Sequence, residues 1–589
     1  MSIAPRGMSV QEAYRLYRDD KLMVNRKYQR KLVWTLKEKQ SLIDSILRDF
    51  PIPLILFAEK VNGGIQSYEI IDGMQRLNAI FGFIEHEFEM QGRYFDVAEF
   101  ARAKQAAETG HFELTKSLSL IEPATCADFL DYQLAVTIFP SVGDEQVTEV
   151  FGRINSGGQQ LSWQEKRQAG RINEFSTLIR RLASEIRGDA SKEILTLSSM
   201  PEISIDTARR SLGYSLKAEE IFWCKQGVLW TKQLRESEDE EILADICASI
   251  LLDAPIARSR ELLDRIYDIT SDDHAEIARK LISYGADKLY EEVKATLSVL
   301  REVIESYNDG DNALRSAINP GSTNPIKASF FALFMAFFDL VIKEEKTPSE
   351  SDQIMKAIEG LQADMIATAK YAKAEDRTKN IDKTKGLIQR FFVKKDPSML
   401  RHGAGLAIDF ENSLRRSKIE SGRYECKQGL VGLDEKRIFD KGMESKLLET
   451  ICAIANIGPD ADGFIFIGVA DKDADAQRIK LLDGVDPIAV GSRWVVGIDR
   501  ELAFLKIDLD GYVRKVAGFV SGSNLSETLK HQVSAQIDIV SYRSRSVIRI
   551  RVPQQKDVSF LGEKSFIREG SSTVAVEGRK LLAVSELFK

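Results

Sequence analysis

Tyr68-Glu-Ile-Ile-Asp-Gly-Met-Gln-Arg-Leu77 reads as a strand, a tight turn and the start of a helix. Ile70 and Ile71 end an extended apolar stretch, Asp72-Gly73 is a turn pair, and Gln75–Glu85 repeats apolar residues at helical spacing. A helix that opens at the end of a strand presents unpaired amides and the positive end of its dipole, so this turn is a candidate anion site. Gly73 lets backbone approach closely, and Arg76 in the first turn can pair with a phosphate. A cation at that position works against the helix dipole, which argues that it has another task. The alternative is that Asp72 merely caps the helix and Arg76 is a surface residue.

Outward from this turn, Leu36–Phe50 is amphipathic, with Ile43, Ile46 and Leu47 on one face, and Pro51 stops it. Ile52–Phe57 is a short strand, and Asn62-Gly63-Gly64 a turn. Downstream, Phe151-Gly-Arg-Ile-Asn-Ser-Gly-Gly158 is a glycine-bearing loop, and Ser162-Trp-Gln-Glu165 has the pattern of a capping box that opens a helix. From residue 169 to 398 the pattern is almost purely helical, with apolar residues at three- and four-residue spacing in Glu240–Leu252, Ala275–Tyr307 and Asp352–Lys373. No fixed period runs through it, so a solenoid is not supported. Phe330–Ile342 is very apolar but too short to span a bilayer, and it contains Asp339, so it reads as a buried helix. From residue 399 strands return around one clear helix, Met443–Ile457. Phe464–Val469 is expected as a central strand and Val547–Val552 as a half-exposed one. The expectation is an α+β multidomain protein: an α+β domain over 1–168, an all-helical middle over 169–398, and a second α+β domain over 399–589.

Composition narrows the function classes. The 589 residues are 43% hydrophobic and 29% charged, the mix of a folded globular protein. Only 14 are proline, which favours long helices. A net charge of −7 excludes a global basic field, so a nucleic-acid surface must be a local patch. The five cysteines include no CxxC pair, and the five histidines form no HExxH, which argues against a zinc ribbon, a thioredoxin-like site and a zinc protease. No G-x-x-x-x-G-K-[ST] loop occurs, which disfavours an AAA-like motor. The first twenty residues hold no apolar signal-type run, so a cytoplasmic location without a membrane partner is expected. Self-association into a homo-oligomer is compatible with the sequence.

A second candidate site lies in Arg423-Tyr-Glu-Cys-Lys-Gln428. Metal-dependent phosphodiester cleavage needs carboxylates around a divalent cation, Mg2+ or Mn2+, and a cation near the scissile phosphate. Glu425 and Lys427, two apart on a strand, share a face. Glu420 can return from the adjoining turn, and Asp471 follows the apolar strand. Arg415, Arg416, Lys418 and Arg423 form a local basic cluster suited to the backbone of DNA or RNA. The alternative is an ordinary exposed strand face. Cys426 and Cys452 are expected as small core residues, and Trp34 and Trp163 as core rather than base-stacking platforms.

Two resemblances sharpen these readings. Tyr28-Gln-Arg30, Trp34, Phe50-Pro-Ile-Pro53, Tyr68–Leu77, Phe151–Gly158 and Leu161–Glu165, in that order, resemble the ParB-like N-terminal domain of GmrSD-type restriction systems and related phage-defence proteins. The resemblance implies that Asp72, Gly73, Gln75 and Arg76 bind a nucleoside triphosphate, with Gln29, Arg30, Arg153 and Asn155 as further candidates for the same pocket. Met74 stands where that family usually has its first glutamine, and a methionine cannot hydrogen-bond a phosphate or a water. Glu420-Ser-Gly-Arg-Tyr-Glu-Cys-Lys427, Leu448–Asn456, Gly463–Asp471 and Phe566–Thr573 are similar to the Schlafen AlbA-like domain. That similarity implies metal binding and cleavage by Glu420, Glu425 and Asp471, with Lys427 stabilising charge. Together they imply a nucleotide-regulated, metal-dependent nuclease of anti-phage defence, or a nucleotide-regulated nucleic-acid-binding protein that does not cut.

Overall fold

The computed structural model describes residues 5–26, 32–62, 65–112, 114, 119–140, 162–168, 173–188, 194–200, 202–204, 215–366, 373–394, 406–417, 422–440, 442–459, 461–543 and 545–588. The chain is α+β and divides into two compact units, 1–394 and 395–589.

In the first unit a six-stranded sheet carries β1 (Arg6–Ser9), β2 (Leu22–Asn25), β3 (Ile55–Asn62), β4 (Ile65–Asp72), β5 (Gln133–Phe139) and β6 (Ile194–Thr196) in the order β1-β5-β3-β4-β2-β6. β3 and β4 pair antiparallel, with Asn62 opposite Ile65, and the Asn62-Gly63-Gly64 turn expected between them lies partly outside the described residues. β3 begins at Ile55, three residues later than the pattern suggests. It is an interior strand, paired with both β4 and β5. Pro51 and Pro53 have no N–H to give a ladder and are left outside it.

The helix Leu36–Leu47 ends short of Phe50. Asp49 turns left-handed at φ 55°, and the Asp49 and Phe50 amides return to the Ile46 and Ser45 carbonyls, closing the last turn before Pro51. Its start is fixed by a reciprocal cap between Thr35 and Glu38. The helix Met74–Ile84 is buried at every residue and lies in the centre of the apolar core, with Phe81 stacked on Tyr17.

The middle region is helical, with short strands at its margins. β6 belongs to the N-terminal sheet, through antiparallel pairing with β2. β7 (Glu202–Ser204) pairs with β8 (Ser215–Lys217), and β9 (Lys346–Pro348) with β10 (Phe392–Lys394). The apolar repeat over Ala275–Tyr307 is carried by two helices, Asp272–Tyr284 and Ala286–Tyr307, parted at Gly285. Of Asp352–Lys373, the α-helical part among the described residues lies within Ser351–Ala357. Lys327–Phe338 is a buried helix, as its composition suggests. Among the described residues no helix is long and apolar enough to cross a membrane.

The second unit has a four-stranded sheet in the order β11 (Tyr424–Lys427), β12 (Gly463–Ile467), β17 (Arg545–Val552), β16 (Ile537–Tyr542). β11 runs parallel to β12, which also pairs antiparallel with β17 and is therefore central. β13 (Val469–Ala470), β14 (Ile488–Val490) and β15 (Arg493–Val495) form a small second sheet, and β18 (Ser565–Glu569) and β19 (Ser572–Val576) a hairpin. The helix Met443–Ala455 packs its apolar face on Ile465, Ile467, Ile548 and Ile550. The opposite sheet face, with Cys426, Phe464 and Phe466, packs on Phe410 and Leu414 of the helix Leu406–Arg416. Cys426 and Cys452 are free thiols in these two different clusters, and burial pushes each up to about 12.

Candidate functional site

At the first turn, Gly73 has φ 100°, a left-handed conformation that a side chain rarely adopts. A Cβ there would also come within 2.9 Å of Ile55 Cγ1, so β3 forces the same choice. The Gly73 amide donates to Asp72 Oδ1 at 2.7 Å, and Arg76 Nη2 lies 2.8 Å from Asp72 Oδ2. Asp72 does not cap the helix, whose N-cap is Gly73 with no side-chain cap bond. Nor is Arg76 a surface residue: only 9% of it is exposed, while the Asp72 side chain is 38% exposed. A nearly buried guanidinium stands in the first turn of a helix, against the dipole, held by an acid that faces outward.

Gln75 is buried as well, and its Oε1 accepts the amides of Val33 at 3.0 Å and Trp34 at 3.3 Å. The glutamine therefore fastens the segment that follows Tyr28-Gln-Arg30 onto the turn. Met74 is buried in the apolar core, so position 74 packs rather than faces a ligand. Its methionine is accounted for by that packing. Gln29, Arg30, Arg153 and Asn155, with the whole Phe151–Gly158 loop, lie outside the described residues. The helix expected after Ser162 is present as Trp163–Gln168. Its tryptophan departs from the core expectation: Trp163 is 48% exposed, with the Arg260 guanidinium 4.2 Å from the ring centre, whereas Trp34 is half-buried against the core.

In the second unit, strand alternation sends Cys426 toward the helix Leu406–Arg416 and leaves Glu425 and Lys427 together on the other face. Glu425 Oε1 is 2.6 Å from Lys427 Nζ, and Oε2 is 3.0 Å from Arg568 Nη2 on β18. The Arg568 side chain is 2% exposed and donates from Nη1 to Thr573 Oγ1 at 2.9 Å. Asp471 forms a separate pair with Arg493, whose Nε reaches Ser417 Oγ at 3.0 Å at the end of the helix Leu406–Arg416. The structure brings together Glu425, Lys427 and Arg568, and separately Asp471 and Arg493. Glu420 and Lys418 lie outside the described residues, and among the described residues no three His, Cys, Asp or Glu side chains converge as a metal-binding group. Both described carboxylates expected at a divalent ion are paired with cations, Glu425 with Lys427 and Arg568, and Asp471 with Arg493. Of the basic cluster, Arg415 is paired with Glu411 at 2.7 Å, Arg416 closes the helix Leu406–Arg416, and Arg423 gives its carbonyl to the Phe464 amide.

Two polar groups of this unit are not among the expected site residues. Asn456, the last residue of the A-x-A-N run, donates from Nδ2 to Ser559 O, Ser565 Oγ and Phe566 O, and accepts the Ser559 amide at 2.7 Å. It clamps the start of the β18–β19 hairpin to the helix Met443–Ala455 and so sets where Arg568 meets Glu425. Glu501, fully buried, accepts the Leu430 amide and the Tyr512 hydroxyl, each at 2.7 Å, and lies 3.0 Å from Arg500. Arg500 in turn reaches Asp483 at 2.8 Å and the Gln428 carbonyl at 2.6 Å. This network fixes the loop that leaves Lys427. Burial, and then the Glu501 charge, pushes the Tyr512 hydroxyl well above its ordinary pKa, so it stays a neutral donor.

Residues 12–170 match the model for the N-terminal domain of the GmrSD restriction endonuclease, and residues 420–577 match that for the Schlafen AlbA_2 domain. The chain fuses these two domain types. The first match contains the Asp72–Arg76 turn, and the second contains Glu425, Asp471, Asn456 and Arg568. No curated protein matches the chain.

Proposed function

We propose that the chain is a nuclease of anti-phage defence, acting on DNA or RNA under the control of a nucleoside triphosphate bound at the Asp72–Arg76 turn. The observation that carries the nucleotide reading is Arg76. A guanidinium nearly removed from water, at the end of a helix where the dipole opposes it, is held ready by Asp72 beside a glycine that opens the backbone. Phosphate oxygens are the ligand that this charge and the adjoining first-turn amides suit. The match to a restriction endonuclease domain and the match to a Schlafen domain support nucleic acid as the target.

A second reading, a nucleotide-regulated nucleic-acid-binding protein without cleavage, is favoured by one observation: both oxygens of Glu425 are taken by cations. Incubating the protein with DNA and with RNA, with Mg2+, Mn2+ or EDTA, and with and without each nucleoside triphosphate, separates the two. Cleavage that EDTA stops and Glu425→Gln abolishes supports the nuclease with a divalent ion. Retention of nucleic acid without cutting under every condition supports the binding protein.

A further inference from the structure

The turn at Asp72–Arg76 is built from more than the stretch that matches the GmrSD domain. Val33 and Trp34 are held from two sides. From one side Gln75, inside the turn, accepts both of their amides. From the other side Arg235 donates from Nη2 to the Val33 carbonyl, and the same nitrogen lies 3.0 Å from Glu38 Oε2. That carboxylate oxygen also accepts the Thr35 amide and hydroxyl, each at 2.7 Å, so one atom ties the arginine to the cap of the helix Leu36–Leu47.

Arg235 is well placed to act as a fixed anchor. It is the last residue of the short helix Thr231–Arg235, and Ser237, left-handed at φ 60°, turns the chain straight into the helix Glu238–Leu251. Leu234 beside it is fully buried, and the Arg235 side chain is 21% exposed. Its backbone is therefore set by the helical region, while its guanidinium is spent on the peptide that Gln75 grips. A guanidinium can bond a carbonyl and a carboxylate in one fixed fork, which a flexible ammonium does less well.

We infer that Arg235 is a positioning residue for the proposed nucleotide site: it holds the Val33–Trp34 peptide against Gln75 and thereby sets the geometry of the Asp72–Arg76 turn. The inference rests on the nucleotide reading for its consequence in binding, and on the hydrogen bonds alone for its consequence in structure. The full-length protein is compared with Arg235→Ala, Arg235→Lys and a control, Arg265→Ala, which breaks the exposed Arg265–Asp273 pair elsewhere in the same unit. Amide hydrogen exchange at Val33 and Trp34 should rise about tenfold or more in Arg235→Ala, less in Arg235→Lys, and not in the control. Affinity for ATP, GTP, CTP or UTP, whichever the wild type binds, should fall about tenfold in Arg235→Ala, recover in part in Arg235→Lys, and hold in the control. Unchanged exchange at Val33 and Trp34 in Arg235→Ala, or an equal rise in Arg265→Ala, overturns the inference. If the wild type binds no nucleotide, the nucleotide reading fails, while the exchange comparison still decides whether Arg235 holds this peptide.

Discussion

The two candidate sites hold their acids in opposite ways. At the N-terminal turn, Asp72 ends β4 and Arg76 lies in the first turn of the helix four residues on, so the pair is complete within the motif that encodes it. In the C-terminal unit, Glu425 takes its second cation from Arg568, 143 residues away, and Arg568 is placed by a hairpin that Asn456 clamps. The Asp72–Arg76 pair forms between neighbours in sequence, and the distant Arg235 reaches it only through the Val33–Trp34 peptide that Gln75 grips. A site assembled from distant elements depends on the polar network that brings them together.

That contrast predicts the largest effect at Glu501. Glu501→Ala removes the buried acceptor of the Leu430 and Val431 amides and of the Tyr512 hydroxyl, and takes from Arg500 one of its two carboxylate partners, leaving Asp483. Breaking a buried pair of this kind costs about 3–5 kcal/mol. Thermal unfolding should show the transition of the C-terminal unit lowered or lost, with the N-terminal unit unaffected. An unchanged melt would mean that the loop after Lys427 does not need this network.

A smaller loss is expected at Asn456→Ala, which strips the hairpin clamp of its hydrogen bonds; a few bonds at roughly 0.5–1.5 kcal/mol each give a loss of about 2–3 kcal/mol. Hydrogen exchange should localise it to β18 and β19. Gly73→Ala comes next, at about 1–3 kcal/mol, because it forces a side chain into a left-handed turn against Ile55. Its effect should fall on the N-terminal unit alone, as read by chemical denaturation.

The smallest effect is a pH dependence at Glu38. Burial works to raise its pKa, but hydrogen bonds from the Thr35 amide and hydroxyl and the Arg235 charge outweigh this, and the net shift is downward from 4.5. A carboxyl lowered in the folded state adds stability that is complete above its ordinary value and is lost as the pH falls through the lower, folded value. The stability difference between wild type and Glu38→Gln should therefore be constant at neutral pH and shrink as acid protonates Glu38. A difference that grows in acid would contradict the sign.

The turn at Asp72–Arg76 was legible because every signal in it is local: an apolar strand end, an Asp-Gly pair and a helical period. The burial of Arg76 and the packing of Met74 were not legible, because both follow from a helix that lies wholly inside the core. In the C-terminal unit, β11, β12 and the shared face of Glu425 and Lys427 follow from alternation. The occupation of Glu425 by Arg568 and of Asp471 by Arg493 depends on pairings between elements far apart in the chain, which no periodicity records. The same limit explains Trp163, whose neighbours Lys166 and Arg260 hold it at the surface from two different helices. It also explains the break at Gly285, where an apolar repeat ran on through a residue that the backbone uses to turn.

The measurement that bears most directly on nucleotide control is the cleavage rate of DNA and of RNA with and without nucleoside triphosphate, in wild type and in Arg76→Ala, after thermal melts show both are folded. Nucleotide should change the wild-type rate and leave the variant's rate unchanged, since the variant lacks the cation that would hold the phosphates. Identical cleavage rates across both proteins, with and without nucleotide, for each nucleic acid would contradict a nucleotide switch at this turn.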